Sequence, residues 1–200
     1  MVTIINLEGN IGVGKTTLKN ILKTHNIPNC SFVDEPFYEQ KELFDDYYKD
    51  MKRWAMTFQI YIRESRYFNF TDKLYDCYEY IIMDRSLGSD KNVFAKMLHD
   101  DGIMTDIEWL TYNMSDKCIV QEDSKTIYLT CSPEVALKRM HKRNRPQEQN
   151  ITLEYLTKVK NYYDSYISSL NDVLIIDCNN DFENNNKIIE NVINFILNKN

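Results

Sequence analysis

Short runs rich in β-branched and aromatic residues recur along the chain at Val2–Leu7, Cys30–Val33, Tyr80–Met83, Thr126–Leu129 and Val173–Ile176. Runs this short and this apolar read as strands covered on both faces. The longer stretches between them have helical character, which predicts helices over Lys15–His25, Lys52–Tyr75, Leu87–Leu98, Asp106–Val120, Pro133–Lys142, Leu153–Leu170 and Lys187–Leu197. Strand and helix in alternation predict an α/β fold, a five-stranded parallel sheet flanked by helices. In open sheets of this kind ligands bind beyond the carboxyl ends of the strands, so chemistry is expected in the turns after Leu7, Val33 and Met83.

The first of these turns is Gly9-Asn10-Ile11-Gly12-Val13-Gly14-Lys15-Thr16, which matches G-x-x-x-x-G-K-[ST] between a strand and a helix. Glycines let backbone N–H groups turn inward around phosphates, and the helix N-terminus adds partial positive charge. Lys15 is expected to reach the terminal phosphate oxygens, and Thr16 to offer its hydroxyl to Mg²⁺. A chance glycine turn before a helix does not explain the strand-loop-helix context.

The other two turns carry charge. Asp84-Arg85-Ser86 puts a carboxylate and a guanidinium at the lip of the third strand, a pair suited to holding Mg²⁺ and neutralising phosphoryl charge. Asp34-Glu35-Pro36 ends the second, and proline keeps Glu35 extended and aimed outward. An acid at a strand end is usually a solvated turn residue, but Glu35 shares the expected crevice with the glycine loop and the Asp-Arg pair.

Composition narrows the address and the partners. A formal charge of −6 argues against general affinity for nucleic acid or an anionic membrane. The chain is long enough for one domain over residues 1–200. The five cysteines, Cys30, Cys77, Cys118, Cys131 and Cys178, are scattered without a C-x-x-C pair, as in a reducing compartment. No apolar run approaches the ~20 residues of a membrane span, and the first strand leaves no room for a signal peptide, so a cytoplasmic address is expected. The asparagine-rich stretch Asn179–Asn186 reads as a surface loop.

With E-G-N-I-G-x-G-K-[ST]-T ending at Thr17, then E-P, then a helical F-Q at Phe58-Gln59, then D-R-S, the chain resembles the deoxynucleoside kinase family from first strand to last helix. The resemblance implies a P-loop kinase that uses ATP and Mg²⁺ to phosphorylate the 5′-hydroxyl of a deoxynucleoside. Glu35 is then the general base and Arg85 places the hydroxyl. Asp84 is the metal-side acid, or alternatively the proton acceptor. Gln59 and Arg66, seven apart on nearly one helical face, and Asp90 and Phe94, four apart, line the base pocket, which Ile62 narrows. Arg66 with Asp90 resembles members that accept deoxycytidine or deoxypurines, since an arginine-held carboxylate accepts from an exocyclic amine but faces thymine O4 without a proton. Tyr48 and Glu148 resemble the pair that binds the sugar 3′-hydroxyl; Gln40 stands where animal members carry tryptophan. Arg139, Arg143 and Arg145 resemble an arginine-rich lid, about 139–149, that closes on the donor phosphates, and Asp181-Phe182 resembles the loop around adenine. The resemblance also implies a homodimer. A monophosphate kinase would need extra basic residues for an acceptor phosphate, and a GTPase-type switch would need N-K-x-D and D-x-x-G segments; neither is present.

Overall fold

The central strand decides the architecture. β1 (Thr3–Glu8) is buried at every position after its first, and pairs in parallel with both β3 (Tyr80–Asp84) and β4 (Ser124–Thr130). β2 (Cys30–Val33) and β5 (Val173–Asp177) form the edges, giving the order β2-β3-β1-β4-β5, all parallel. This computed structural model describes residues 2–35, 41–75, 77–115, 124–183 and 185–198. Gln40, Cys118 and the end of the helix expected to reach Val120 lie outside them.

Alternate residues of the strands face opposite layers. Ile5 and Leu7 pack with Ile82, Ile127 and Leu129 against α1 (Lys15–Thr24), α6 (Pro133–Arg143) and α8 (Asn186–Leu197). Ile4, Ile81 and Met83 face Phe70 of α3 (Met51–Tyr75) on the other side. Tyr128 meets α4 (residues 87–100) and α7 (Leu153–Ile167) there. α4 is a composite: an α-turn at Leu87–Ser89, a π-helical stretch over Asp90–Ala95 and α-helix again over Lys96–Asp100. α5 (Asp106–Ser115) follows it.

Two features depart from expectation. A helix, α2 (Lys41–Lys49), stands where none was predicted. It packs onto α3 through aromatic rings, Tyr47 stacked on Phe58 at 4.2 Å and Phe44 edge-on to it at 4.8 Å. Asp50 then starts α3, its side chain accepting from Arg53 N–H at 3.0 Å. The helix expected as regular over Leu87–Leu98 instead contains the π-helical turn that carries Asp90 and Phe94. A wider turn keeps residues four apart close to one face, so the two still line one cavity.

Candidate active site

A cavity of about 570 Å³ opens beyond the carboxyl ends of the strands, lined from the glycine loop through Glu35, Asp84 and Arg85 to Gln59 and Phe94. The glycine loop fits closely against its neighbours. Gly12 has φ +77°, and a Cβ there would meet the Ala136 carbonyl of α6 at 2.6 Å. Gly14, φ +115°, lies under the buried ring of Phe182. Lys15 Nζ donates to the carbonyls of Gly9 and Asn10 at 2.8 and 2.9 Å. Burial, and then the neighbouring charge of Arg85, bring its pKa down to about 7 against the opposing pull of Asp84, Glu35 and Glu8. Asn10 is a clasp, its amide donating to the Leu156 carbonyl of α7 at 2.8 Å.

Asp84 ends β3 beside this lysine. Its Oδ2 accepts from Lys19 at 2.9 Å, while Lys19 also reaches Asp34 at 2.7 Å. Burial alone would raise its pKa, but the charges of Lys15, Lys19 and Arg85 outweigh that and hold the carboxyl below its ordinary value. Asp84 Oδ1 is buried with no hydrogen-bond partner among the described residues. An anionic oxygen left bare at Asp84, which lines the same cavity as the exposed Thr16, is the donor chemistry a hard cation such as Mg²⁺ takes.

Arg85 occupies a left-handed backbone conformation at φ +67° that a non-glycine residue holds only when its surroundings enforce it. Its N–H donates to Leu7 O at 3.0 Å. The next residue is fixed by Glu8, whose Oε1 accepts from Ser86 N–H at 2.9 Å and Ser86 Oγ at 2.5 Å. Glu8 is fully buried and its pKa is raised by that burial. Thus aimed, the Arg85 guanidinium donates to Glu35 and to Tyr163 Oη (3.0 Å), over the face of Phe94 at 5.0 Å.

Behind this turn lies Arg66, 1% exposed, gripping Asp90 with two parallel bonds of 2.7 and 3.1 Å. It also donates to the carbonyls of Asp84 and Arg85, and stands 3.7 Å from Glu35. Asp90, Gln59, Phe94 and Ile62 line the cavity; Arg66, Gly9 and Asn10 support it from behind. The Gln59 carboxamide makes no hydrogen bond to a described residue, and neither does the Tyr48 hydroxyl on the same wall.

Over the loop, Arg139 donates to Cys178 O at 2.7 Å and Asp181 at 3.0 Å, tying α6 to the segment after β5. Arg143 Nη2 donates to both oxygens of Glu148 at 2.6 Å, with Arg145 at 3.5 Å from the same carboxylate. Thr17, Val13 and Ile11 complete the wall below. Sequence reasoning missed Glu8, although it opens the E-G-N motif, and the lining residues Tyr47, Phe58, Ile151 and Tyr155. The Tyr47-Tyr48 pair was the signal for the first of these.

Loop, buried lysine and paired acids at adjoining strand ends are arranged for moving a phosphoryl group, and the class they define is that of the P-loop kinases. A family model described as deoxynucleoside kinase matches residues 5–199. The chain is 36% identical over 208 residues to a probable deoxycytidine kinase of fowlpox virus, covering 96% of this chain and 87% of that one. It is 34% identical to a deoxyadenosine kinase of Dictyostelium discoideum (84% and 68% covered) and 30% identical to human deoxycytidine kinase (96% and 90%). The chain belongs to the deoxynucleoside kinase family: it is an ATP-dependent kinase that phosphorylates a deoxynucleoside in nucleotide salvage.

Proposed function

We propose that the acceptor is deoxycytidine or a deoxypurine nucleoside, phosphorylated at its 5′-hydroxyl. The observation that carries this is the Arg66–Asp90 pair, which keeps Asp90 an acceptor-only carboxylate at the cavity wall. An exocyclic amine satisfies it; thymine O4 meets another acceptor. The fowlpox relative, a probable deoxycytidine kinase, and the Dictyostelium relative, a deoxyadenosine kinase, point the same way. Gln59 takes the remaining base edge and Phe94 the ring face, while Tyr48 and Glu148 take the sugar 3′-hydroxyl. Glu35 receives the 5′-hydroxyl proton and Arg85 orients both. Gly9 to Thr17 and Lys15 hold the donor phosphates, with Arg139, Arg143 and Arg145 as the lid over about 139–149 and Asp181-Phe182 beside adenine. Catalysis is then chiefly positioning and charge stabilisation. Thr16 and Asp84 would hold Mg²⁺, which would supply neutralisation of charge on the transferring phosphoryl group.

An ATP-consumption assay run over all deoxynucleosides and their monophosphates tests the assignment. Fastest turnover of deoxycytidine or a deoxypurine nucleoside supports it; thymidine as the best acceptor, or turnover of monophosphates alone, overturns it.

Lys15 gives a second measurable consequence. ATP placed against Nζ favours the protonated lysine, so binding at pH 8 is expected to take up about one proton, read from calorimetry in buffers of different ionisation enthalpy. Zero uptake at pH 8 contradicts the pKa of about 7 in the free enzyme. In the free enzyme the unfolded chain holds this proton from about pH 7 up to lysine's ordinary value, so stability rises with pH across that window.

We read residues 1–200 as one cytoplasmic kinase domain that works without nucleic acid or membrane, in keeping with its charge of −6. No helix among the described residues is long and apolar enough to cross a membrane. A homodimer is supported by Ile107, Leu110 and Met114, which are 76, 62 and 64% exposed on one face of α5 and which a second copy would cover. Sedimentation at the mass of a single 23.9 kDa chain would refute it.

A further inference from the structure

We infer that Glu148 does more than contact the acceptor: it restrains Arg143 and Arg145, and the acceptor's 3′-hydroxyl releases them toward the donor phosphates. Donor and acceptor binding are thereby coupled through one carboxylate. The coupling holds only if Glu148 is the 3′-hydroxyl contact, and Arg143 and Arg145 the donor-phosphate groups, proposed above.

Both oxygens of Glu148 are taken by Arg143 Nη2 at 2.6 Å, with Arg145 at 3.5 Å. The three side chains line the same cavity as the glycine loop, Tyr48 and Glu35. They differ in freedom. Glu148 is 7% exposed and sits at the end of a tight 3₁₀ turn, Pro146–Glu148, with its N–H on Arg145 O and its carbonyl accepting from Ile151 N–H, each at 3.1 Å. The Arg143 and Arg145 side chains are 32 and 35% exposed, and Asn144 between them breaks the helix at φ +52°. The carboxylate is the fixed post and the arginines are the parts that can swing.

Arg143 is held by both oxygens of this one carboxylate, with Arg145 at its edge, so a polyphosphate entering below competes with Glu148 for them. The buried carboxylate resists losing its donors, because an unpaired buried charge is costly. A sugar hydroxyl donating to Glu148, beside the Tyr48 hydroxyl, replaces one of those donors and lowers the cost of release. Linkage makes the effect reciprocal: the acceptor strengthens donor binding by the factor by which the donor strengthens acceptor binding. An acceptor without the 3′-hydroxyl is therefore discriminated against in kcat as well as in KM, because the lid arginines stay on Glu148.

Calorimetry with adenylyl imidodiphosphate tests this, alone and with the deoxynucleoside turned over fastest or its 2′,3′-dideoxy counterpart. In the wild type the deoxynucleoside is expected to tighten the analogue about tenfold, within the usual range for coupled sites, and the dideoxy compound to leave it unchanged. In Glu148→Gln the amide no longer restrains the arginines, so the analogue alone binds more tightly than to wild type and the coupling disappears. If Glu148→Gln weakens only the acceptor and leaves analogue affinity and coupling as in wild type, Glu148 is a sugar contact alone and the inference fails. If Glu148→Gln weakens the analogue, the carboxylate organises the lid and the inference fails as well. If deoxynucleoside and dideoxynucleoside bind the wild type equally, it is the assignment of Glu148 to the sugar that fails, and the coupling falls with it. Glu148→Asp, which keeps the charge, is expected to retain part of the restraint, with analogue affinity nearer wild type than in Glu148→Gln.

Discussion

Glu35→Gln is expected to reduce kcat by roughly 10²- to 10⁴-fold, the range for loss of a positioned general base, with the KM for ATP nearly unchanged. Glutamine matches the shape and can still accept from Arg85, so the change removes proton affinity and little else. Asp84 is the poorer candidate for that task. Lys15, Lys19 and Arg85 hold its carboxyl low, and a carboxylate that releases its proton so readily is a weak base. Single-turnover rates for Glu35→Gln and Asp84→Asn at saturating ATP and varied Mg²⁺ separate the roles. A chemical step unchanged in Glu35→Gln but lost in Asp84→Asn at every Mg²⁺ concentration would exchange the assignments.

The largest expected effect on stability comes from the buried ion pair. Arg66→Leu strips Asp90 of its counter-ion and leaves the carbonyls of Asp84 and Arg85 without this donor, so a loss of about 3–5 kcal/mol is expected, read by urea unfolding. Changing both partners to apolar residues, Arg66→Leu with Asp90→Val, removes the buried charge along with its partner and should recover most of that loss. The same double variant no longer opposes thymine O4 with a carboxylate. Its ratio of kcat/KM for thymidine over deoxycytidine is expected to rise by at least about tenfold. A double variant as unstable as Arg66→Leu, or an unmoved ratio, would show that the pair does not act as a unit in this way.

What was legible in the sequence was local. Five apolar runs and one glycine loop are contiguous in the chain, and each lies where its own residues put it. Glu8 holding Ser86 is a contact between two strand ends separated by most of the first half of the chain, and no periodicity announces it. Gln59 and Arg66 do project from nearly one face of α3, but seven residues separate them by about 10 Å along the axis. The first therefore reaches the cavity and the second the backs of the strand ends. The π-helical turn was hidden because residues four apart share a face in either kind of helix. In α2, charged residues interrupt a short aromatic stripe of Phe44, Tyr47 and Tyr48, whose meaning depends on the Phe58 ring it stacks against.

The order β2-β3-β1-β4-β5 divides labour across the sheet. In the assignment proposed above, with the glycine loop on the middle strand, the β2 and β3 side from Glu35 to Asp90, the metal-side Asp84 apart, addresses the molecule being phosphorylated. In the same assignment the β4 and β5 side, from Arg139 to Phe182, addresses the molecule that gives the phosphate. Selection can therefore retune the diet of such an enzyme in one flank of the sheet while its fuel stays the same. Glu148, as proposed, crosses the other way, a residue of the fuel flank that reaches across to the sugar, and a lineage that changes its diet must then keep that one thread intact.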